Sequence, residues 1–71
     1  PMADMVDTEA ERARLEKERE TALKELARLE GKLSNAEFMS KAPKKIVDAE
    51  LEKKEKYTKL LESVTNAINN L

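Results

Sequence analysis

Two stretches of the chain carry apolar residues at intervals of three and four, the spacing of one face of an α-helix. The apolar positions are Leu15, Ala22, Leu26, Leu29 and Leu33 in the first stretch, and Val47, Tyr57, Leu61, Val64, Ile68 and Leu71 in the second. Both stripes are narrow, because charged residues flank most of the apolar positions. A narrow stripe with a repeat near 3.5 residues is typical of helices that pack as a coiled coil. The pattern therefore predicts two long amphipathic helices.

The segment between the two stripes has the composition of a chain reversal. Asn35 is suited to cap a short helical turn, and Pro43 suits the first position of a following helix because no N–H is needed there. We expect helix 1 from about residue 7 to residue 35, a turn from about 35 to 43, and helix 2 from about 43 to 69. The predicted fold class is all-α, with two long helices forming an antiparallel coiled-coil hairpin.

Helix 1 contains one start signal and one ambiguous glycine. Thr8 followed by Glu11 fits a capping box, so the helix is expected to begin within a residue or two of Asp7.

Gly31 either ends this helix or lies inside it. Because Leu33 continues the apolar stripe, we favour the second alternative, at a cost of about 1 kcal/mol relative to Ala. Gly31 is then either a tolerated surface glycine or a point of close approach for another backbone or a nucleic acid.

The position of the turn predicts which residues face each other across the hairpin. If the chain folds back near Met39, facing residues have numbers that sum to roughly 78, as in an antiparallel helix pair with a short connection. This register places Ala22 opposite Tyr57 and Leu29 near Glu50. Two helices bury little apolar area, so we expect marginal stability.

Charge is distributed unevenly along this chain of net charge −1. Residues 1–11 and 60–71 together carry five acids and no base, whereas residues 12–59 carry 14 bases and 10 acids. The predicted turn is basic, with Lys32, Lys41, Lys44 and Lys45 against one acid, Glu37. A polyanion would meet this end through phosphate contacts that position it without reading its sequence. The alternative is a solvated surface of Lys and Glu pairs, as long charged helices usually carry.

Composition excludes most other chemistry. The chain has neither Cys nor His, so thiolate and imidazole ligands and the usual acid–base group near neutral pH are missing. It has no glycine-rich phosphate loop and no acidic loop with the spacing of a calcium site. We expect no catalytic residue, no metal site and no cofactor. With no targeting signal and no apolar run near the roughly 20 residues of a membrane span, we expect a cytoplasmic protein that does not contact a membrane.

Residues 32–47, KLSNAEFMSKAPKKIV, resemble the turn of the C-terminal coiled-coil arm of valyl-tRNA synthetases, whose pattern is approximately K-L-x-N-x-x-F-x-x-K-A-P-x-x-V-V. The matching residues are Lys32, Leu33, Asn35, Phe38, Lys41, Ala42, Pro43 and Val47, and Ile46 is a conservative change. Residues 6–18 resemble the start of the family's first helix. The resemblance covers nearly the whole chain, although beyond Glu50 only periodicity supports it.

The resemblance implies a non-catalytic appendage that rests on the outer corner of tRNA, where the D and T loops meet. Valine activation, transfer and editing, and the binding of ATP, would belong to the remaining domains of a parent valine–tRNA ligase. The arm would add affinity and orientation by making part of tRNA binding intramolecular. The chain opens with Pro1 and not with an initiator Met, which is expected of a piece of a longer protein and is explained equally well by processing or a cloning scar. The resemblance implies an excised C-terminal fragment of a larger enzyme.

The residues that would bind tRNA are chosen by their charge and their position along the chain, because no motif identifies them. They are the basic residues on the flank near the turn, namely Lys24, Arg28, Lys32, Lys41, Lys44, Lys45, Lys53 and Lys54. Neutralising any residue that touches a phosphate is expected to weaken binding modestly and to lower the salt slope by about one.

The alternative from a different class is a structural or interaction hairpin, such as a scaffold, a chaperone-like coiled coil or a self-associating helix pair. Its support is the thin predicted core, which would gain from a partner at Leu61, Val64, Ile68 and Leu71. Salt-dependent retention of tRNA would favour the arm. Helicity and mass that depend on concentration, without RNA affinity, would favour self-association.

Overall fold

A computed structural model describes the backbone of residues 2–71 and the side chains of residues 8–71. Within this range the chain forms three helices, α1 (Met2–Leu33), α2 (Ala36–Lys41) and α3 (Lys44–Asn69), and no strand. The long helices α1 and α3 pack against each other, and the short α2 joins them at one end. The molecule is a rod of 57 × 14 × 14 Å. The predicted all-α hairpin is confirmed.

The chain reverses direction through α2 and the two junctions that flank it. Asn35 has an extended backbone, and its Oδ1 accepts a hydrogen bond from the Phe38 N–H at 3.1 Å, so it caps α2 as predicted. Ala42 ends α2 in an extended conformation, which is favoured for a residue before proline. Pro43 is the N-cap of α3, and its carbonyl accepts a hydrogen bond from the Val47 N–H at 3.1 Å. Pro43 thus precedes the helix by one residue and does not occupy its first position.

The first helix begins earlier than the sequence predicted. α1 starts at Met2, whereas the capping motif at Thr8 placed the start near Asp7, so Thr8 lies inside the helix. Residues 2–7 contain neither glycine nor proline, and nothing in their backbone chemistry prevents the helix from extending toward the N-terminus. A capping role for the Asp7 side chain falls outside the side chains that the structure describes.

Gly31 lies inside α1, which ends two residues further on at Leu33. The prediction that the helix passes through Gly31 is therefore confirmed, although the helix ends slightly before its predicted boundary because Asn35 caps the next one. A Cβ added at Gly31 would meet no atom within 4 Å, and the residue does not have a positive φ. No contact within the protein requires glycine here, and close approach of a nucleic acid at this point stays a prediction.

A single thin seam between α1 and α3 holds the hairpin together. Its buried side chains are Leu15, Ala22, Leu29, Val64 and Glu50. Burial of both Leu29 and Glu50 agrees with the register predicted from the turn, and Tyr57, predicted to face Ala22, is half-buried. Val64 belongs to this seam, so it is not available to an outside partner as the interaction-hairpin alternative assumed.

Leu29→Ala should lower the free energy of unfolding by about 2 to 5 kcal/mol, because it opens a cavity at a fully buried position. The matched control is Leu23→Ala, the same substitution on the same helix at a side chain that is 46% exposed, and it should cost less than about 0.5 kcal/mol. Urea unfolding followed by far-UV circular dichroism measures both. Equal losses would mean that the seam does not run along the face that carries Leu29.

Gly31→Ala should raise the free energy of unfolding by about 0.5 to 1 kcal/mol, because alanine loses less conformational entropy in a helix and its methyl group meets open space. The same urea titration measures the change. A decrease in stability would show that α1 is not a regular helix at residue 31.

Candidate nucleic-acid interface

The closed end of the hairpin, here called the tip and comprising residues 32–47, gathers positive charge. Lys41 donates a hydrogen bond to Glu37 at 2.9 Å along α2, and both side chains are exposed. Lys44 and Lys45 open α3, whose first turn contains no acid. Both are exposed, and neither forms an ion pair with a described side chain. Because an exposed pair such as the one between Lys41 and Glu37 contributes little, all three ammonium groups are accessible to an anion.

Behind the tip, one carboxylate connects the three helices. Oε1 of Glu50 on α3 is 3.7 Å from Nζ of Lys32 on α1 and 3.6 Å from Nζ of Lys53 on α3. Nζ of Lys32 also lies 5.4 Å from the ring centroid of Phe38 on α2, within the range of a cation–π contact. Lys32 and Lys53 therefore lie on one side of the seam. Arg28, one turn before Lys32 on α1, lies on the same side and pairs with an acid of its own helix.

Two of the predicted tRNA-binding residues do not join this group. Lys24 stands one turn before Arg28, but it follows the buried Ala22 by two residues, about 200° of helix rotation, so it points further away from α3 than Arg28 does and pairs with Glu20 at 3.2 Å. Lys54 follows Lys53 by one residue, about 100° around α3, and is half-buried at the seam, seven residues after Val47 and seven before Leu61. The structure brings six of the eight predicted residues to the tip or to the side that carries Lys32, and it separates these two from them.

An apolar surface lies among the cations of the tip. Phe38, Ala42, Pro43 and Ile46 contribute to a shallow, open depression of about 500 Å³. Ile46 is 46% exposed, and the nearby Met39 is 40% exposed. Phe38 is half-buried, which leaves part of its ring at the surface. A nucleobase could stack on such a surface whatever its identity, because every base has a flat π-face.

The opposite, open end of the rod has the other sign of charge. Among the described side chains of residues 8–11 and 60–71, Glu9, Glu11 and Glu62 are acidic and none is basic. Next to them, Arg14 pairs with Glu11 and Glu18, and the hydrogen bond with Glu11 raises the pKa of Arg14 above its already high value. Positive charge therefore predominates toward the closed end and negative charge at the open end. A polyanion that approaches the rod is drawn toward the tip.

No group of three acids among the described side chains is arranged to hold a metal ion. In the same part of the chain, no helix is long and apolar enough to cross a membrane. The surface of the tip carries positive charge and an apolar depression, and both features can bind a ligand.

Two features of the interface were missed from the sequence. The exposure of Ile46 was missed because the apolar stripe predicted for the second helix begins at Val47, and Ile46 was considered only as part of the turn motif. The junction at Glu50 was missed although the register placed Glu50 beside Leu29. A carboxylate at a core position was the available signal, but identifying its lysine partners requires knowing the side of the seam on which each lysine lies.

A helical hairpin with a cationic closed end and an acidic open end has the charge distribution expected of a coiled-coil arm that binds nucleic acid. The chain belongs to the family described as the valyl tRNA synthetase tRNA binding arm, whose family model matches residues 7–71. The family predicted from the turn motif is therefore confirmed.

Valine–tRNA ligases are among the similar proteins. The enzyme of Clostridium acetobutylicum is 44% identical over 68 residues, which cover 96% of this chain and 8% of that protein. The enzyme of Enterococcus faecalis is 44% identical over 71 residues, covering 100% of this chain and 8% of that protein. The enzyme of Francisella tularensis is 50% identical over 60 residues, covering 84% and 6% respectively. The chain thus spans less than a tenth of the length of these relatives, and no solved structure matches it significantly.

Proposed function

We propose that this chain acts as the tRNA-binding arm of a valine–tRNA ligase and catalyses no reaction by itself. The observation that carries the proposal is the pair of exposed lysines without ion-pair partners, Lys44 and Lys45, at the tip of a rod whose other end is acidic. The family description names the same ligand. The proposed docking place is the outer corner of a valine-specific tRNA, where the D and T loops meet.

The location of Lys44 and Lys45 supports a role beyond folding. The N-terminus of a helix attracts anions, because its first N–H groups are unpaired and the helix dipole is positive there. A lysine in the first turn opposes this dipole and weakens the helix by about 0.3 to 1 kcal/mol. The two lysines are therefore unfavourable for α3 alone. A phosphate group would be attracted by the helix N-terminus and by both side chains.

The proposed tRNA-binding residues are Lys24, Arg28, Lys32, Lys41, Lys44, Lys45, Lys53 and Lys54. We expect the lysines of the tip and the group around Glu50 to contribute most, because they can face one ligand together. Lys24 and Lys54 should contribute least, because Lys24 points away from α3 and Lys54 is half-buried at the seam. The apolar surface around Phe38 and Ile46 suits a base that is exposed where two loops of the tRNA meet.

An arm of this kind works through the enzyme to which it is attached. We propose that the remaining domains of a parent ligase bind ATP, activate valine and transfer it to tRNA in the cytoplasm. A tRNA held at its outer corner would meet the active site at a high effective concentration, because its second contact is then intramolecular. Even a weak contact at the tip would help to orient the distant acceptor end for reaction.

A structural or self-associating hairpin is the second candidate function. The exposed leucines favour it, because Leu23, Leu51 and Leu71 are 46%, 47% and 42% exposed. An interface between copies would have to bury at least about 1,000 Å² in total, and it would make mass and helicity depend on concentration. Sedimentation of the chain without RNA distinguishes this candidate from a monomeric arm.

The triple variant Lys41→Gln, Lys44→Gln, Lys45→Gln should lower tRNA affinity at least about tenfold at low salt and reduce the salt slope of binding by about two to three, because up to three phosphate contacts are lost. Fluorescence anisotropy with labelled tRNA over a series of salt concentrations measures both quantities.

The matched control is Arg12→Gln, Lys17→Gln, Lys59→Gln, which removes the same charge nearer the open end of the rod. It should change affinity and slope much less than the tip variant. Equal effects of the two triple variants would mean that tRNA responds to net charge alone, and the tip would not be the binding site.

A further inference from the structure

Glu50 occupies a position in the seam where an apolar side chain would be expected to stabilise the hairpin better. The residue is only 7% exposed, and its neighbours in the seam are apolar. Its Oε2 atom is buried and has no hydrogen-bond partner among the described atoms. A buried carboxylate that is incompletely hydrogen-bonded loses hydration that its ion pairs do not fully replace. The stability of the seam therefore does not explain why a carboxylate stands here.

The same carboxylate has a definite effect on its surroundings. One oxygen, Oε1, lies within 3.7 Å of the ammonium groups of both Lys32 and Lys53. Free lysine side chains are flexible and would spread through solvent, whereas these two are held at one point behind the tip. Lys32 is in turn near the ring of Phe38, so the contact extends from α3 through α1 to α2.

We propose that Glu50 is a positioning residue for RNA binding. It holds Lys32 and Lys53 at a fixed separation, and through Lys32 it fixes α2 and Phe38 against both long helices. The proposal rests on the tRNA-binding function proposed above and deepens it by assigning selectivity for folded RNA to one side chain. The phosphates of a folded RNA have fixed spacing, so cations held at matching positions bind them more tightly than mobile cations do. A flexible single strand adapts to any arrangement of charge.

This role has a signature that charge alone does not produce. The negative charge of Glu50 repels every RNA. If this charge were its only effect, removing it would strengthen binding to folded and unfolded RNA alike. If Glu50 acts by positioning, its loss should weaken binding to folded tRNA while leaving binding to a single strand unchanged or stronger. The ratio of the two affinities therefore separates the two effects.

The experiment measures binding of the 71-residue chain to tRNA and to poly(U) at one salt concentration, for the unsubstituted protein and for Glu50→Gln. The ratio of tRNA affinity to poly(U) affinity should fall about three- to tenfold in Glu50→Gln, the loss expected when contacts to fixed phosphates lose their alignment. The matched control is Glu52→Gln, the same charge change at an exposed position two residues along α3, which should leave the ratio unchanged.

A second variant, Glu50→Leu, separates positioning from a purely structural role and replaces Glu50→Gln if that variant loses its helices. Its thermal midpoint should rise by several degrees, because apolar replacement of a buried ion pair is often stabilising, yet its affinity ratio should fall in the same way. A variant that is more stable and less selective supports the proposal. A variant that is both less stable and less selective would make Glu50 an ordinary structural residue and overturn it.

The remaining outcomes separate this proposal from the one on which it rests. If the unsubstituted chain does not prefer tRNA to poly(U), the proposed function fails, and the positioning role fails with it. If that preference exists and both Glu50 variants keep it, only the positioning role is overturned.

Discussion

The chain reversal between α1 and α3 is the constraint on which the rest of the structure depends. Asn35 ends one helix and caps another, and Pro43 stands in extended backbone at the start of α3, which then runs back along α1. Because only four apolar side chains are buried in the seam among residues 8–71, their packing depends on the register that the turn imposes. The same reversal collects lysines from three helices at one end of the rod.

Several features near the tip oppose stability. The carboxylate of Glu50 is buried in a seam that has little apolar area. Two lysines occupy the first turn of α3, where the positive end of the helix dipole disfavours them. Ile46, also in the first turn of α3, is left exposed. Natural sequences usually agree with their fold at every level, and exceptions concentrate where a protein binds its ligand. The opposite half of the hairpin shows no such concentration among its described side chains, and there Arg14 pairs regularly with acids of its own helix.

The helices, their antiparallel pairing and the Asn35 cap could be predicted because each depends on local chemistry or on a regular repeat. The register followed from the position of the turn, and the burial of both Leu29 and Glu50 agrees with it. The start of α1 was predicted wrongly, because a good capping motif at Thr8 does not stop a helix when the preceding residues also favour one. The eight candidate cations could not be sorted from composition alone, since one residue along α3, about 100° of rotation, separates the exposed Lys53 from the half-buried Lys54.

In the proposed complex the tip contacts the outer corner of tRNA while the open end stays away. The chain has no cysteine, so Met39→Cys at the exposed tip and Asn70→Cys at the open end each provide a single site for a tethered iron chelate. Hydroxyl-radical cleavage of bound tRNA should be strong in the D and T loops from position 39 and weak from position 70. Cleavage that is stronger from position 70, or that falls on the anticodon or acceptor end from position 39, would contradict the claim.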